Sequence, residues 1–489
     1  MYMKDVLKIW SVLCAFVVAI VVSSCTDERE FSTDPSHRLA FSCDTVAFDT
    51  LFTNVSSATQ VFLIYNRNKE DLSISHAVLA GGEVSPYRVN IDGLAGSSFS
   101  DLAIRGGDSM YVFVEVTVDP RGQDEPFEVR DSLQFILASG TTQQVIFTAG
   151  GQDATVLRGA VIDIDTRLTA TRPYLIYDSL RVEQGSTLTM APGTRLFFSD
   201  KVEMQVYGCV EAMGKADSLI VFRGARTDNM FDYLPYDRLS AQWGGITLHE
   251  SSTNNVFEHC DIHSGTYGLR ANSTSMDEEK LVMRNSQIHN VDEDALQLTS
   301  CKASFVNSLF TNAGGHCVNV LGGQMDFVHC TMANFYPWKS ERGLAVSIAN
   351  YVEGEEVMYP LLGVNFVNCF ITGSKDRELQ SVIKDDAEDE AQYSFKYSVI
   401  NSWKDAHEED NQHFENIVWE NKENSAYGST NFRKIDRENF IYDFHLDSLS
   451  VARRVASEQY LDLVPYDKDG NPRQSGAVDA GCYQSAFGY

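Results

Sequence analysis

The sequence predicts an all-β protein, a β-sandwich followed by a β-solenoid, and three observations carry that reading. Six segments repeat one short line: V-F-E-H-C-D-I-H-S from Val256, V-M-R-N-S-Q-I-H-N from Val282, S-F-V-N-S-L-F-T-N from Ser304, D-F-V-H-C-T-M-A-N from Asp326, N-F-V-N-C-F-I-T-G from Asn365 and S-F-K-Y-S-V-I-N-S from Ser394. Their starts lie 26, 22, 22, 39 and 29 residues apart, a period at which one structural unit is stacked many times. Ahead of them, residues 39 to about 152 alternate in short apolar runs separated by turn signals, the pattern of a sandwich.

The columns of the repeat define its strands. Position two is always large and apolar: Phe257, Met283, Phe305, Phe327, Phe366 and Phe395. Position five is always small (Cys260, Ser286, Ser308, Cys330, Cys369, Ser398) and position seven apolar (Ile262, Ile288, Phe310, Met332, Ile371, Ile400). Positions five and seven share a strand face, whereas position two has the opposite parity, so the chain must bend between them. Position four holds His259, Asn285, Asn307, His329, Asn368 and Tyr397. Asn and His tolerate the left-handed region, and one such residue turns the chain while both flanking strands keep pointing inward. A further strand follows at 268–270, 295–298, 317–320 and 345–348, so each coil has several sides.

This asparagine corner resembles the right-handed parallel β-helix of pectate-lyase-like proteins, in which such corners stack into ladders. The helix is expected to span 153–489. Leu188, Met190, Leu196, Phe198, Val202, Met204 and Val206 begin it before the clear repeats, broken by a turn at 191–194. The C-terminal stretch Asp467-Lys468-Asp469-Gly470-Asn471-Pro472-Arg473 and the Asp479-Ala480-Gly481-Cys482-Tyr483 stretch resemble the closing segment of bacterial surface β-helix proteins and predict a last coil. In the sandwich, strands are expected at 61–65, 87–91, 111–118, 133–137 and 144–147. No Cys-Trp-Cys pattern occurs, so the domain is immunoglobulin-like only in the broad sense.

The N-terminus is read as a targeting segment, residues 1–24. Lys4 and Lys8 precede a charge-free apolar run of 14 residues at 9–22, short for a membrane span and right for a signal peptide. The run ends in Val22-Ser23-Ser24-Cys25, which resembles a bacterial lipobox and implies a lipidated Cys25 as membrane anchor. The tether at 25–38 opens Thr26-Asp27-Glu28-Arg29-Glu30, which resembles the surface-export signal of lipoproteins in Bacteroidetes-type bacteria. The expected location is therefore the outer membrane, facing outward.

The formal net charge of −29 repels nucleic acid and other polyanions. Of the ten cysteines, Cys14 leaves with the signal and Cys260, Cys330 and Cys369 share an inward column with serine. That equivalence predicts packed thiols, although disulfides are the usual use of cysteine in an exported protein.

Candidate sites are few. His263 and His289 occupy one outward column on adjacent coils, about 5 Å apart, with Asp261 beside the first. The spacing suits a metal or an acid–base pair, and equally a solvated face whose other members are Thr311, Ala333, Thr372 and Asn401. Two aromatic insertions, one with Tyr233 and Tyr236 and one with Trp338, either stack on sugar rings or fold back onto the core. Acidic clusters at 385–390 and 408–410 fall in insertions, where charge runs are usually solvated loops. No metal site is assigned. Calcium is considered only at Asp467–Asn471, where the later acidic ligand of a calcium loop is missing. No Asp-Asp or Gly-His-Gly signature of polygalacturonase-like enzymes occurs, Gly314-Gly315-His316 approaching the latter only superficially.

These readings favour a cell-surface lipoprotein acting as a non-catalytic scaffold for adhesion or glycan contact. A β-helix polysaccharide lyase or glycoside hydrolase is the alternative, and a structural subunit of a surface complex with a protein partner is the third.

Overall fold

The computed structural model describes residues 30–231, 233–384, 391–403 and 411–485. The signal segment, Cys25 and the acidic clusters at 385–390 and 408–410 lie outside them. The chain divides into two compact units.

The first unit comprises residues up to Phe48, Asn54–Asp119 and Glu128–Gly150. It holds two five-stranded sheets whose strands pair antiparallel. Strand Ser109–Val116 shows why: Met110, Val112, Val114 and Val116 are buried while the residues between them are exposed. Phe62 of one sheet meets Phe147 of the other at 6.3 Å, edge to face. The buried Tyr87 hydroxyl donates to the Val129 carbonyl at 2.9 Å, so the polar end of a core ring is satisfied.

The second unit is a parallel β-helix built on one 26-stranded sheet that folds into three ladders. The columns read from the sequence are its hydrogen-bonding register. Phe257 pairs with Met283, then Phe305, Phe327, Phe366 and Phe395 follow in turn. Ile262, Ile288, Phe310, Met332, Ile371 and Ile400 do the same on the next ladder. All of these side chains are fully buried. The third ladder runs through Leu296, Val318, Val346 and Leu379.

The corner between the first two ladders has positive φ at every predicted position: 49° at His259, 51° at Asn285, 49° at Asn307, 53° at His329, 55° at Asn368 and 50° at Tyr397. The corner N–H groups continue the ladder, Asn285 donating to Val306 O, Asn307 to Val328 O and Asn368 to Lys396 O. Side chains join in: Asn307 Nδ2 reaches Asn285 Oδ1 at 3.2 Å and Asn368 Nδ2 reaches His329 Nε2 at 2.9 Å. The small column also has a use. The Ser286 and Ser398 hydroxyls accept from the Cys260 and Cys369 amides of the coil before. Cys330 and Cys369 thiols point at the carbonyls of Phe305 and Phe327. The eight described cysteines are free thiols. Burial pushes Cys260 and Cys330 well above the usual thiol range, which keeps them protonated and unreactive.

Two expectations need correction. The C-terminal stretch is not a coil. The ladders end at Phe414–Glu415 and Val418–Glu420. The chain then forms an antiparallel hairpin, Phe432–Asp436 with Ile441–Leu446, and continues as an irregular strap back along the outside of the helix. The strap closes the corner ladder from outside. The Gly481 amide donates to Asn368 O. Asn368 exchanges hydrogen bonds with the Ser457 backbone, and Arg473 donates to Asn307 Oδ1 at 2.8 Å. Hairpin and strap bury Phe432, Phe444, Ala480 and Cys482 against Phe335 and Phe370, an apolar seam that a further coil would leave unfilled. The second unit also takes in Asp49–Thr53 and Pro120–Phe127, which a single boundary near residue 152 does not anticipate. Phe52 packs edge-on against Phe197 at 4.8 Å, and Asp124 pairs with Arg172 at 2.5 Å.

Candidate functional site

Strands Cys260–His263 and Gln287–Val291 pair so that His263 lies opposite His289. Their rings stack with centroids 4.8 Å apart and 15° between planes. Asp261 stands two residues before His263 and therefore on the same outward face. Its Oδ1 accepts from His263 Nδ1 and from His289 Nε2, each at 3.0 Å. The sequence placed this column on an open face, but the structure covers it. The turn Tyr236–Arg238 brings Asp237 over His263, and Asp237 Oδ1 accepts from His263 Nε2 at 2.8 Å and from Arg223 at 2.6 Å. Only 7% of the His263 side chain remains accessible.

Both ring nitrogens of His263 thus face carboxylate oxygens. Burial disfavours its charged form, but Asp261 and Asp237 outweigh burial and raise its pKa to about 9. Burial likewise pushes Asp237 up, yet His263 and Arg223 hold it at about 2. Asp261 sits well below the usual carboxylate range because burial is outweighed by His263 and His289.

The column opens sideways into a cleft of about 380 Å³, at the small end of ligand pockets. Asp237 and His289 stand on one side, Thr311 and Asn312 on the next coil, and Phe440, Tyr442, Phe444 and Tyr483 of the hairpin and strap opposite. Three buried polar atoms of its lining residues have no hydrogen-bond partner among the described residues: Thr311 Oγ1, Asn312 Oδ1 and Tyr442 Oη. Thr311 and Asn312 are each 1% exposed. Asn312 is held by a second left-handed corner, φ 53°, with Nδ2 on Asn290 Oδ1 at 3.2 Å. On the far wall, His445 is clamped between Asp443 at 2.5 Å and Asp469 at 2.7 Å and stacks on Tyr483 at 4.1 Å. Its pKa is raised, chiefly by the Asp469 hydrogen bond.

The predicted aromatics divide. Trp338 is half exposed and stacks on Phe440 at 4.5 Å, which sets it beside the cleft wall. Tyr236 lies under the Arg226 guanidinium at 3.5 Å. Tyr233 is exposed and stacks on Phe231, itself exposed, at 5.9 Å. Phe335 and Tyr336 fold back into the core, the Tyr336 hydroxyl meeting Asp292 Oδ1 at 3.0 Å. Asp467 spends its carboxylate on the amides of Asp469, Asn471 and Gln484, a turn-holding role. His316 accepts from the Leu344 amide at 3.0 Å, again within the coil framework.

Asn312, Tyr442, Asp443, His445 and Tyr483 were not singled out from the sequence as site residues. A signal existed for Asn312: position nine of the repeat reads Ser264, Asn290, Asn312, a second column tolerant of positive φ. None existed for the hairpin, whose place depends on non-periodic contacts.

The profile of the family described as "Right handed beta helix region" matches residues 225–334. The matched residues are coils of the parallel β-helix described above. No curated protein sequence matches the β-helix chain. Among solved structures it overlaps a family 123 glycoside hydrolase from Clostridium perfringens at 6% identity, over 24% of this chain and 26% of that one, with a TM-score of 0.17. The PapD-like domain 7 of human CEP192 overlaps at 12% identity, over 27% of this chain and 95% of that domain, with a TM-score of 0.17. The catalytic unit of a GH87 alpha-1,3-glucanase from Streptomyces thermodiastaticus overlaps at 12% identity, over 70% and 78% of the two chains, with a TM-score of 0.19. At such low scores these overlaps carry no argument about activity.

Proposed function

We propose that this β-helix protein is a lipid-anchored cell-surface scaffold that contacts neutral glycans, without cleaving them, in the cleft beneath its C-terminal hairpin. The observation that carries the reading is the set of three unpartnered polar atoms among aromatic rings. A buried polar atom without a partner costs about 1–3 kcal/mol, and because these three atoms are closed to solvent, a glycan hydroxyl would reach them as the cleft lining shifts on binding. A sugar suits all three. Its hydroxyls donate to Asn312 Oδ1 and exchange either way with Thr311 and Tyr442, and its C–H faces pack on rings such as Phe440.

Cleavage of a glycosidic bond needs one carboxyl to donate and another to act as base or nucleophile. In this cleft Asp237 is engaged by Arg223 and His263, and Asp443 by the amide and ring of His445. Those commitments favour contact over turnover. The strongly acidic chain, at −29, disfavours acidic polysaccharides and nucleic acid. On a carbohydrate array the mature protein is expected to bind neutral glycans in preference to uronic-acid polymers. Preference for the acidic polymers, or release of reducing sugar, would overturn the reading.

Anchoring rests on the lipobox-like Val22-Ser23-Ser24-Cys25 alone; no helix among the described residues is long and apolar enough to cross a membrane. Metabolic labelling with a fatty acid should mark the wild type and spare Cys25→Ala. Equal labelling of both rejects lipidation at this cysteine, and protection from protease in whole cells rejects surface display.

A further inference from the structure

We infer that Asp261, His263 and His289 form a binding site for one borderline divalent cation of the zinc type, beside the inner side of the cleft. One ligand atom from each residue lies within 4.8 Å of the others. Asp261 Oδ1 is already 3.0 Å from each of the two imidazole nitrogens. A tetrahedral zinc ion, with bonds of about 2.0–2.2 Å to nitrogen and oxygen, needs donor separations of roughly 3.3 Å. Two of the three edges are close to that length, and the third, between the two imidazole nitrogens and within 4.8 Å, closes as the stacked rings tilt toward each other.

A second, independent feature points the same way. A metal-bound histidine usually donates its other ring N–H to a carboxylate, which fixes the tautomer that turns the free nitrogen to the metal. Asp237 does this for His263 at 2.8 Å, and Arg223 holds Asp237 in place at 2.6 Å. The donors also sit on paired strands of the ladder, which limits how far they can move apart. His289 and Asp237 reach the cleft, which gives the ion a route in and leaves a position for water or a ligand hydroxyl. Two imidazoles with one carboxylate select zinc-like cations over calcium or magnesium, which prefer all-oxygen shells. Without metal a ring N–H of each histidine points at Asp261; when the cation binds, doubly protonated His263 releases its Nδ1 proton to solvent and keeps Nε2–H on Asp237, and His289 binds as the tautomer that carries its proton on Nδ1.

This site stands apart from the glycan reading, because zinc binding can fail while glycan binding holds, and the reverse. The test is zinc titration of the mature chain by calorimetry, with metal analysis after dialysis. One zinc per chain is expected in the wild type and in His76→Ala, a histidine on an exposed strand face. Asp261→Asn and His289→Ala should weaken binding at least 100-fold, and Asp237→Asn by about 10–100-fold. No zinc in the wild type, or binding in Asp261→Asn and His289→Ala equal to wild type, overturns the proposal and leaves a plain ion-pair network. Should those variants fail to fold, cobalt added to the wild type decides. Visible absorption bands that zinc abolishes support nitrogen coordination, and their absence refutes it.

Discussion

Phe327→Ala should destabilise the β-helix by about 3–5 kcal/mol. Phe327 is fully buried in the middle of a stack, 4.5 Å from Phe305 on one side and 4.5 Å from Phe366 on the other, with planes 9° and 1° apart. Phe310 meets it edge-on at 6.5 Å. Truncation removes a ring from both neighbours at once. The cavity cannot collapse readily, because each neighbour is fixed by the 26-stranded ladder. Tryptophan fluorescence during urea unfolding reads the β-helix selectively, since residues 39–150 contain no tryptophan. A loss under about 1 kcal/mol would mean that the coils relax into the gap, contrary to a rigid stacked core.

Arg473→Met should cost about 3 kcal/mol or more and release the strap. Arg473 is 5% exposed. It donates to Asn307 Oδ1 at 2.8 Å, to Gly481 O at 3.1 Å and to Asp479 O at 3.3 Å. Burial lowers its pKa to about 10, which still leaves it charged at neutral pH. Methionine fills similar space but strips three buried acceptors of their donor. The strap carries Tyr483, one wall of the cleft, so glycan binding should fall with it. Limited proteolysis should cut the variant within 450–485 under conditions that spare the wild type. An unchanged cleavage pattern would show that the apolar seam alone holds the strap.

Much of the framework was legible because it is periodic. The corner residues, the small column and the two apolar columns follow from parity and from the tolerance of Asn and His for positive φ, and the observed register matches them. The site is legible only in part. The pair His263 and His289 falls out of the same columns, but their cover comes from Asp237 in an insertion. Thr311 looks like one member of a solvated column until the hairpin around Tyr442 is laid over it. The closing segment read as a coil because its glycines and aspartates suit a turn-rich strand; its true position is set by Asn307, Asn368 and the seam at Phe370. Such contacts join residues far apart in the sequence, 89 positions for Asn368 with Ser457 and 166 for Asn307 with Arg473, and leave no local signature.

The central claim is that unpartnered hydroxyls in the cleft exist to meet a glycan, and the Thr311→Val, Tyr442→Phe double variant tests it most directly. Neither hydroxyl has a partner among the described residues, so their removal should leave the unfolding midpoint unchanged or higher. Affinity electrophoresis through gels containing neutral polysaccharides should retard the wild type in at least one gel, with retardation about tenfold or more weaker in the double variant. Equal retardation of the two proteins, or retardation of neither in any gel, would contradict the account.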